Sequence, residues 1–334
     1  MTPNNRNIRI ALPSKGLLAD ASLQLFAEIG LPIYSPNPRQ YIARIPLLPN
    51  AEVIFQRPGD IVISVRDGSV DFGITGSDIF YEKNDDSGRI LTLHSQLGYG
   101  KCTLNVIVPD EWAEVDTLDD LTRWQAACGR PLRVGTKFPR LAEQFFVKNT
   151  ALPIQIIQAE GALEIAPTIG YADIIVDLVS TGTTLRDNRL KRLQDGAVLE
   201  AQACLLANKA ALQNQPDTRA VAIQLLELVG AYLRGKRKVA VFANVRAGSE
   251  EEIAQKLLPK TVISGLQGPT VSRILTRDGE PFFSVHVVVE KELLHQAVRE
   301  LRQIGGSGVV VSPVSYIFEE EPLELTQMLA ALEE

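Results

Sequence analysis

Short apolar runs of strand length alternate with segments of helical periodicity from residue 8 to about residue 190, and no other feature of the chain narrows the fold as far. Residues 8–12, 51–55, 70–74, 104–108, 132–135, 154–158 and 174–179 read as strands. Residues 18–29, 58–66, 139–149 and 161–169 read as helices, and Pro58 suits the first turn of its helix. Strands separated by helices predict an α/β body with parallel or mixed sheets.

After Arg189 the pattern changes. Residues 198–206 read as one strand and 218–234 as a long amphipathic helix, and the basic stretch Gly235-Lys236-Arg237-Lys238 marks a domain boundary. A strand at 239–244, a helix at 249–258 capped by Ser249, and a strand at 270–275 follow. An Asp278-Gly279 hairpin turn, a strand at 282–289, a helix at 293–304 and a strand at 308–314 complete the order βαββαβ, a ferredoxin-like module. No internal repeat is evident.

Composition removes several classes. A chain of 334 residues, 45% hydrophobic and 22% charged, is globular and long enough for more than one core. Its net charge of -6 argues against general nucleic-acid or anionic-membrane binding. Residues 313–334 hold six glutamates and no Lys or Arg, so the remaining 312 residues balance at 34 positive and 34 negative charges. The acidity belongs to a C-terminal tail and does not speak against an anionic substrate. Cys102, Cys128 and Cys204 lack metal-ligand spacing, and no run reaches the ~20 apolar residues of a membrane span. These features, with no signal-type leader, predict a cytoplasmic protein. His94, His286 and His295 are scattered, with no metal or catalytic cluster around them.

The segment from Ala172 to Leu185 carries the chemistry. An apolar strand ends at Asp177, and the chain continues Ser180-Thr181-Gly182-Thr183-Thr184. Glycine lets backbone amides turn inward, hydroxyls add donors, and a following helix start adds positive potential, all suited to a phosphate. The same composition also makes an ordinary polar turn. With Asp177 before it, the loop resembles the phosphoribosyl-pyrophosphate loop of phosphoribosyltransferases. That loop has two adjacent acids. Here Asp177 fills one place, Val176 the other, and Asp173 is the next acid.

The segments ALPSKGLL (11–18), QRPGDIVISVRDGSVDFGITGSD (56–78), LGYGKCTLNVIVP (97–109), VGTKFPRLAEQFF (134–146), EGALEIAP (160–167) and DLVSTGTTL (177–185) occur in the order found in ATP phosphoribosyltransferase. Together they resemble that family, and the βαββαβ module resembles the histidine-sensing domain of its long form. The resemblance implies a two-lobed catalytic part like a type II periplasmic binding protein. Lobe I would span residues 1–103 and be completed by 193–234; lobe II would span 104–192. The regulatory ACT-like domain would span 235–316, with an acidic tail at 317–334.

The implied reaction joins ATP to phosphoribosyl pyrophosphate through adenine N1 and releases pyrophosphate, as the first step of histidine biosynthesis. Mg2+ is the implied cofactor, histidine the allosteric inhibitor, and a homo-oligomer from dimer to hexamer the implied assembly. Asp177, Lys15 and Arg57 are the implied catalytic residues. Ser180, Thr181, Gly182, Thr183 and Thr184 would hold the 5-phosphate, with Asp173 and Glu160 near the ribose. Gly16, Asp60, Asp71, Thr75, Gly76, Asp78, Lys101, Lys137 and Arg140 complete the substrate set. Leu17 stands where the family often has Arg after Lys-Gly. Asn244, Thr270 and Ser307 are the regulatory candidates. The competing readings are a solute-binding protein of the same fold and a non-catalytic paralogue. The lack of a signal-type leader, the loop and the appended module speak against the first; the intact loop speaks against the second, and Leu17 speaks for it.

Overall fold

The computed structural model describes residues 7–333 except 38, 39, 86, 160, 181 and 267. It opens with β1 (Ile8–Pro13), α1 (Leu17–Glu28), β2 (Ile42–Arg44), β3 (Ala51–Gln56), α2 (Pro58–Arg66), β4 (Phe72–Gly76), α3 (Ser77–Lys83) and β5 (Ile90–His94). Next come β6 (Cys102–Pro109), α4 (Leu118–Cys128), β7 (Leu132–Thr136), α5 (Pro139–Asn149), β8 (Ile154–Gln158), β9 (Ile174–Val179), α6 (Thr183–Asp187) and β10 (Leu190–Ala201). β11 (Ala203–Asn208), α7 (Lys209–Asn214) and α8 (Pro216–Lys236) precede β12 (Lys238–Arg246), α9 (Glu250–Leu257), β13 (Thr270–Ile274), β14 (Phe282–Glu290), α10 (Leu294–Gln303) and β15 (Gly306–Pro313). The helix α11 (Leu323–Glu333) follows.

The first sheet has the order β2-β3-β1-β4-β11-β5 and the second β10-β6-β9-β7-β8. Setting aside the β2 hairpin, both follow one scheme. A first strand (β1 or β7) lies between the second and third strands of its lobe, parallel to both. An antiparallel strand (β11 or β6) then enters from the other half of the chain. This exchange of one strand each is the type II periplasmic-binding-protein arrangement. The duplication is one of topology, which a reading of the sequence for repeated segments does not register.

Apolar faces explain the packing. Ile61, Val62 and Val65 of α2 pack on Val70, Cys204 and Leu206 in the first lobe. Leu121, Ala142 and Phe146 cover Leu104, Val106, Val134 and Val176 in the second.

Three local expectations need correction. The apolar run 198–206 is two strands in different sheets, broken at the polar Gln202, whose carbonyl accepts the Ser77 N–H at 2.8 Å. The chain therefore returns to the first sheet at Gln202 and not near residue 193, since β10 still pairs with β6. Residues 161–169 hold only a 3-10 turn, Leu163–Ile165.

Contacts divide the chain into Met1–Ala222 with Gln327–Glu334, and Ile223–Thr326. By contacts the division falls inside α8, ahead of the basic stretch. Gly235 is helical, and glycine is needed there because a Cβ would stand 2.7 Å from the Ser315 carbonyl oxygen. In the second unit β13-β14-β12-β15 form one antiparallel sheet over α9 and α10, the ferredoxin-like order. Ser249 caps α9 by accepting the Glu252 N–H. Beyond β15 the chain runs beside α8, where Ile317 N–H donates to Ala231 O and Arg234 Nε donates to Ile317 O, both at 2.9 Å. The acidic tail then forms α11, with Met328 buried and the Leu332 carbonyl accepting from Gln213 Nε2 at 3.1 Å.

Candidate active site

Open α/β sheets bind ligands beyond the carboxyl ends of their strands. In the first lobe these ends form a cleft of about 880 Å³, within the usual range for a small-molecule site. Ser14 and Lys15 reach it after β1, Gln56 from the last position of β3, Arg57 just after it, and Asp60 from the first turn of α2, with Tyr41 on the wall. Lys15 and Arg57 are exposed. Gly16 has φ +82° with open space at its Cβ position, so the loop into α1 needs glycine for its backbone alone.

In the second lobe, Glu164, Asp177, Ser180, Gly182 and Thr184 line a cavity of about 80 Å³. That suits one phosphate group and not a whole nucleotide. Gly182 has φ +74°, the left-handed geometry expected of an inward-turning loop. α6 is only five residues long, so backbone amides and hydroxyls carry the cradle, with little help from a helix dipole. Burial pushes the Asp177 carboxyl above its usual range, partly offset by the Leu178 N–H and the Lys137 charge, while Glu164 pushes it up further. Lys137 is exposed and follows Thr136, whose hydroxyl donates to Val176 O at 2.7 Å and accepts the Phe138 N–H at 2.9 Å. This pins the turn carrying Lys137 to the strand carrying Asp177. Glu164 gave no sequence signal of its own, since an acid in an irregular turn is ordinary. Thr181 and Glu160 lie outside the described residues.

Six candidates stand apart from these surfaces. Asp71 precedes β4 and Asp173 precedes β9, so both lie at the amino ends of strands whose carboxyl ends face the sites. Asp71 is 1% exposed and accepts the Arg9 N–H at 2.8 Å. Asp173 accepts from Arg130 Nη1 and Nη2 at 2.7 and 2.8 Å, and from Arg133 Nη2 at 2.7 Å. Thr75 is fully buried, and its hydroxyl donates to Pro58 O at 3.2 Å, holding the start of α2. Asp78 is buried where the chain passes between lobes, and burial raises its pKa. A Cβ on Gly76 beside it would overlap the Asp78 carboxylate, so a larger residue there would have to turn that side chain aside. Arg140 Nη1 points back to Tyr81 O on α3 at 3.5 Å. Cys102, beside the exposed Lys101, has its thiol pushed up to about 11 by burial and the nearby Asp78, so it is no activated nucleophile.

In the second unit, Asn244, Ser307 and Thr270 share the exposed face of the sheet. Asn244 pairs with Ser307 across β12–β15, and Thr270 with His286 across β13–β14. Between them Phe242 and His286 stack with centroids 4.2 Å apart and planes 2° from parallel. Cross-strand pairing alone makes this stack, so neither residue stood out in the sequence.

Two surfaces at strand carboxyl ends on paired lobes, one lined by Lys15 and Arg57 and the other by a turn of glycine and hydroxyl residues, have the chemistry of a protein that binds anionic ligands. The profile of the ATP phosphoribosyltransferase family matches residues 57–229, and that of its C-terminal domain (HisG, C-terminal domain) matches 235–316. The chain belongs to the ATP phosphoribosyltransferase family, in its long form, a family of transferases of histidine biosynthesis. It is 41% identical over 332 residues to ATP phosphoribosyltransferase 2, chloroplastic, of Arabidopsis thaliana, covering 97% of this chain and 80% of that relative. It is 37% identical over 308 residues to the ATP phosphoribosyltransferase of Gemmatimonas aurantiaca, covering 92% and 98%. Among solved structures it resembles the Thermotoga maritima ATP phosphoribosyl transferase (HisG:HisZ) complex in fold, with TM-score 0.51, 20% identity, and 67% of this chain and 98% of that chain covered. No helix among the described residues is long and apolar enough to cross a membrane.

Proposed function

We infer that this chain transfers the phosphoribosyl group of phosphoribosyl pyrophosphate to adenine N1 of ATP, with the two substrates on facing lobes. The observation that carries this reading is the small cradle at the end of β9, where a desolvated Asp177 adjoins hydroxyls and a left-handed glycine. Ser180, Gly182 and Thr184, with Thr181 and Thr183 in the same loop, hold the 5-phosphate. Asp177 accepts from ribose hydroxyls. Lys15 and Arg57, in the larger cleft, neutralise polyphosphate charge, and Asp60 stands beside them. The adenine nitrogen owns its lone pair, so the protein needs no covalent intermediate. It supplies alignment and electrostatic stabilisation of the departing pyrophosphate.

Among the described residues, no three His, Cys, Asp or Glu side chains converge closely enough to hold a metal. Magnesium brought in with the pyrophosphate would meet Asp177 and Glu164 as the carboxylates of the cradle. Bound there, it would make pyrophosphate a better leaving group.

Histidine feedback through the open sheet face of the second unit, and assembly into a dimer-to-hexamer homo-oligomer, complete the proposal. Inhibition at a distance requires two states of unequal histidine affinity.

Purified protein with both substrates, magnesium and pyrophosphatase should form the N1-substituted adenine, read by its near-ultraviolet absorbance. Absence of product with ATP binding retained would remove the reading. Asp177→Ala and Thr181→Ala should each lower kcat/KM by at least about 10-fold; unchanged kinetics in both would dismiss the cradle. Truncation after Arg234 is a poor test of feedback, because it also removes α11 from the first unit. Phe242→Ala and Asn244→Ala in the full chain should raise the histidine concentration for half inhibition by about 5-fold or more, with uninhibited turnover retained. Unchanged inhibition in both would place the sensor elsewhere.

A further inference from the structure

Helix α3 belongs by chain order to the first lobe, yet it is shared with the second. Ile79 packs against the cores of both lobes. One turn on, the half-buried Glu82 reaches the start of α5. Its Oε1 accepts the Arg140 N–H and its Oε2 the Leu141 N–H, both at 3.1 Å. α5 has no cap of its own. Phe138 at its N-cap offers no acceptor, Pro139 follows, and the first turn carries no acid. Helix starts leave amide donors that a carboxylate satisfies well. Here the missing cap comes from 58 residues away, across the lobe boundary.

The capped turn begins two residues after Lys137. Thr136 ties the near side of that residue to β9, and Glu82 ties the far side to α3. The side chain whose charge acts on Asp177 is thus positioned from both lobes. We propose that Glu82 is a positioning residue for the transfer, acting through Lys137. It holds α5 and the Lys137 turn in register with the first lobe, so that phosphoribosyl pyrophosphate meets Lys137 and Asp177 together. This rests on the reading of Lys137 and Asp177 as substrate-facing groups.

The test is a double-mutant cycle in the full-length enzyme. Glu82→Ala should raise KM for phosphoribosyl pyrophosphate by about 5-fold with kcat within about twofold, because a misplaced turn weakens binding more than the chemical step. Glu82→Gln keeps one acceptor and should fall between wild type and Glu82→Ala, which covers the case of an alanine variant that folds poorly. In a Lys137→Ala background, Glu82→Ala should raise KM no further, the non-additivity expected when one residue acts through the other. Additive effects would leave Glu82 a merely structural brace and overturn the proposal, as would an unchanged KM in both Glu82 variants. If Lys137→Ala itself leaves KM unchanged, the underlying site reading fails, and this inference with it.

Discussion

In the first lobe β1 and β4 begin side by side with Arg9 next to Asp71; in the second, β7 and β9 begin with Arg133 next to Asp173. In both, the aspartate accepts the arginine's backbone N–H, at 2.8 Å and 2.9 Å, and returns its own N–H to the arginine carbonyl at 2.9 Å. The guanidinium groups differ. Arg9 Nε turns to Glu52 Oε1 at 2.9 Å, whereas Arg133 and Arg130 both grip Asp173. Four residues downstream the lobes part completely. Thr75 is sealed in and spends its hydroxyl on Pro58, while Asp177 stands half-buried on a small cavity. The amino ends of the two sheets share one staple and the carboxyl ends have diverged, which is where function on a shared fold is expected to reside.

The comparison can be broken at its staples. Asp173→Ala strands two guanidinium groups and a backbone donor, and should cost about 2–4 kcal/mol in denaturant unfolding. Asp71→Ala removes the acceptor of the Arg9 N–H and should cost about 1–3 kcal/mol. If Asp71→Ala proves the more damaging, the arginine forks add nothing and the lobes are stapled by backbone bonds alone. Acid sharpens the contrast. Burial pushes the Asp173 carboxyl upward, but the hydrogen bonds and charge of Arg130 and Arg133 outweigh it and hold it well below the usual carboxylate range. Its contribution is therefore present in full above the unfolded pKa near ~4 and lost as pH falls toward the lower folded value. The stability gap between wild type and Asp173→Ala should narrow from about pH 5 downward. Asp177 has the opposite sign. Burial raises its pKa, so its ionised form weakens the fold above the ordinary carboxylate range. Asp177→Asn should slightly raise the melting temperature at neutral pH, a gain that vanishes in acid, while activity falls. A loss of stability at neutral pH would mean that the charge is held by partners rather than stranded.

Much of this was legible before any coordinates. Apolar runs and a well-placed proline marked β1, β3, α2, β9 and the ferredoxin-like module, because period and turn chemistry are local properties. The turn after β9 was legible because glycine and hydroxyls follow an acid-bearing strand. What escaped depends on pairing. Asp71 and Asp173 looked like ligands, since sequence shows that an acid adjoins a strand but not what lies across from it. Gln202 is, with Glu200, one of two polar residues in the run 198–206, and only the exchange of partners reveals it as a crossing. Glu82 acts on residues 58 and 59 positions away, beyond any local pattern.

The placement of Gln327–Glu334 has a consequence for how the molecule is made. These residues complete a unit that begins near the start of the chain, and all of Ile223–Thr326 intervenes. Such a unit cannot be finished in the order of its synthesis. The sheets of the first body can assemble early, yet α11 reaches α7 only after the inserted module has emerged. Long-range closures of this kind are slow and come late in folding. Quality control acting on the nascent enzyme would therefore meet a catalytic body still lacking its closing helix.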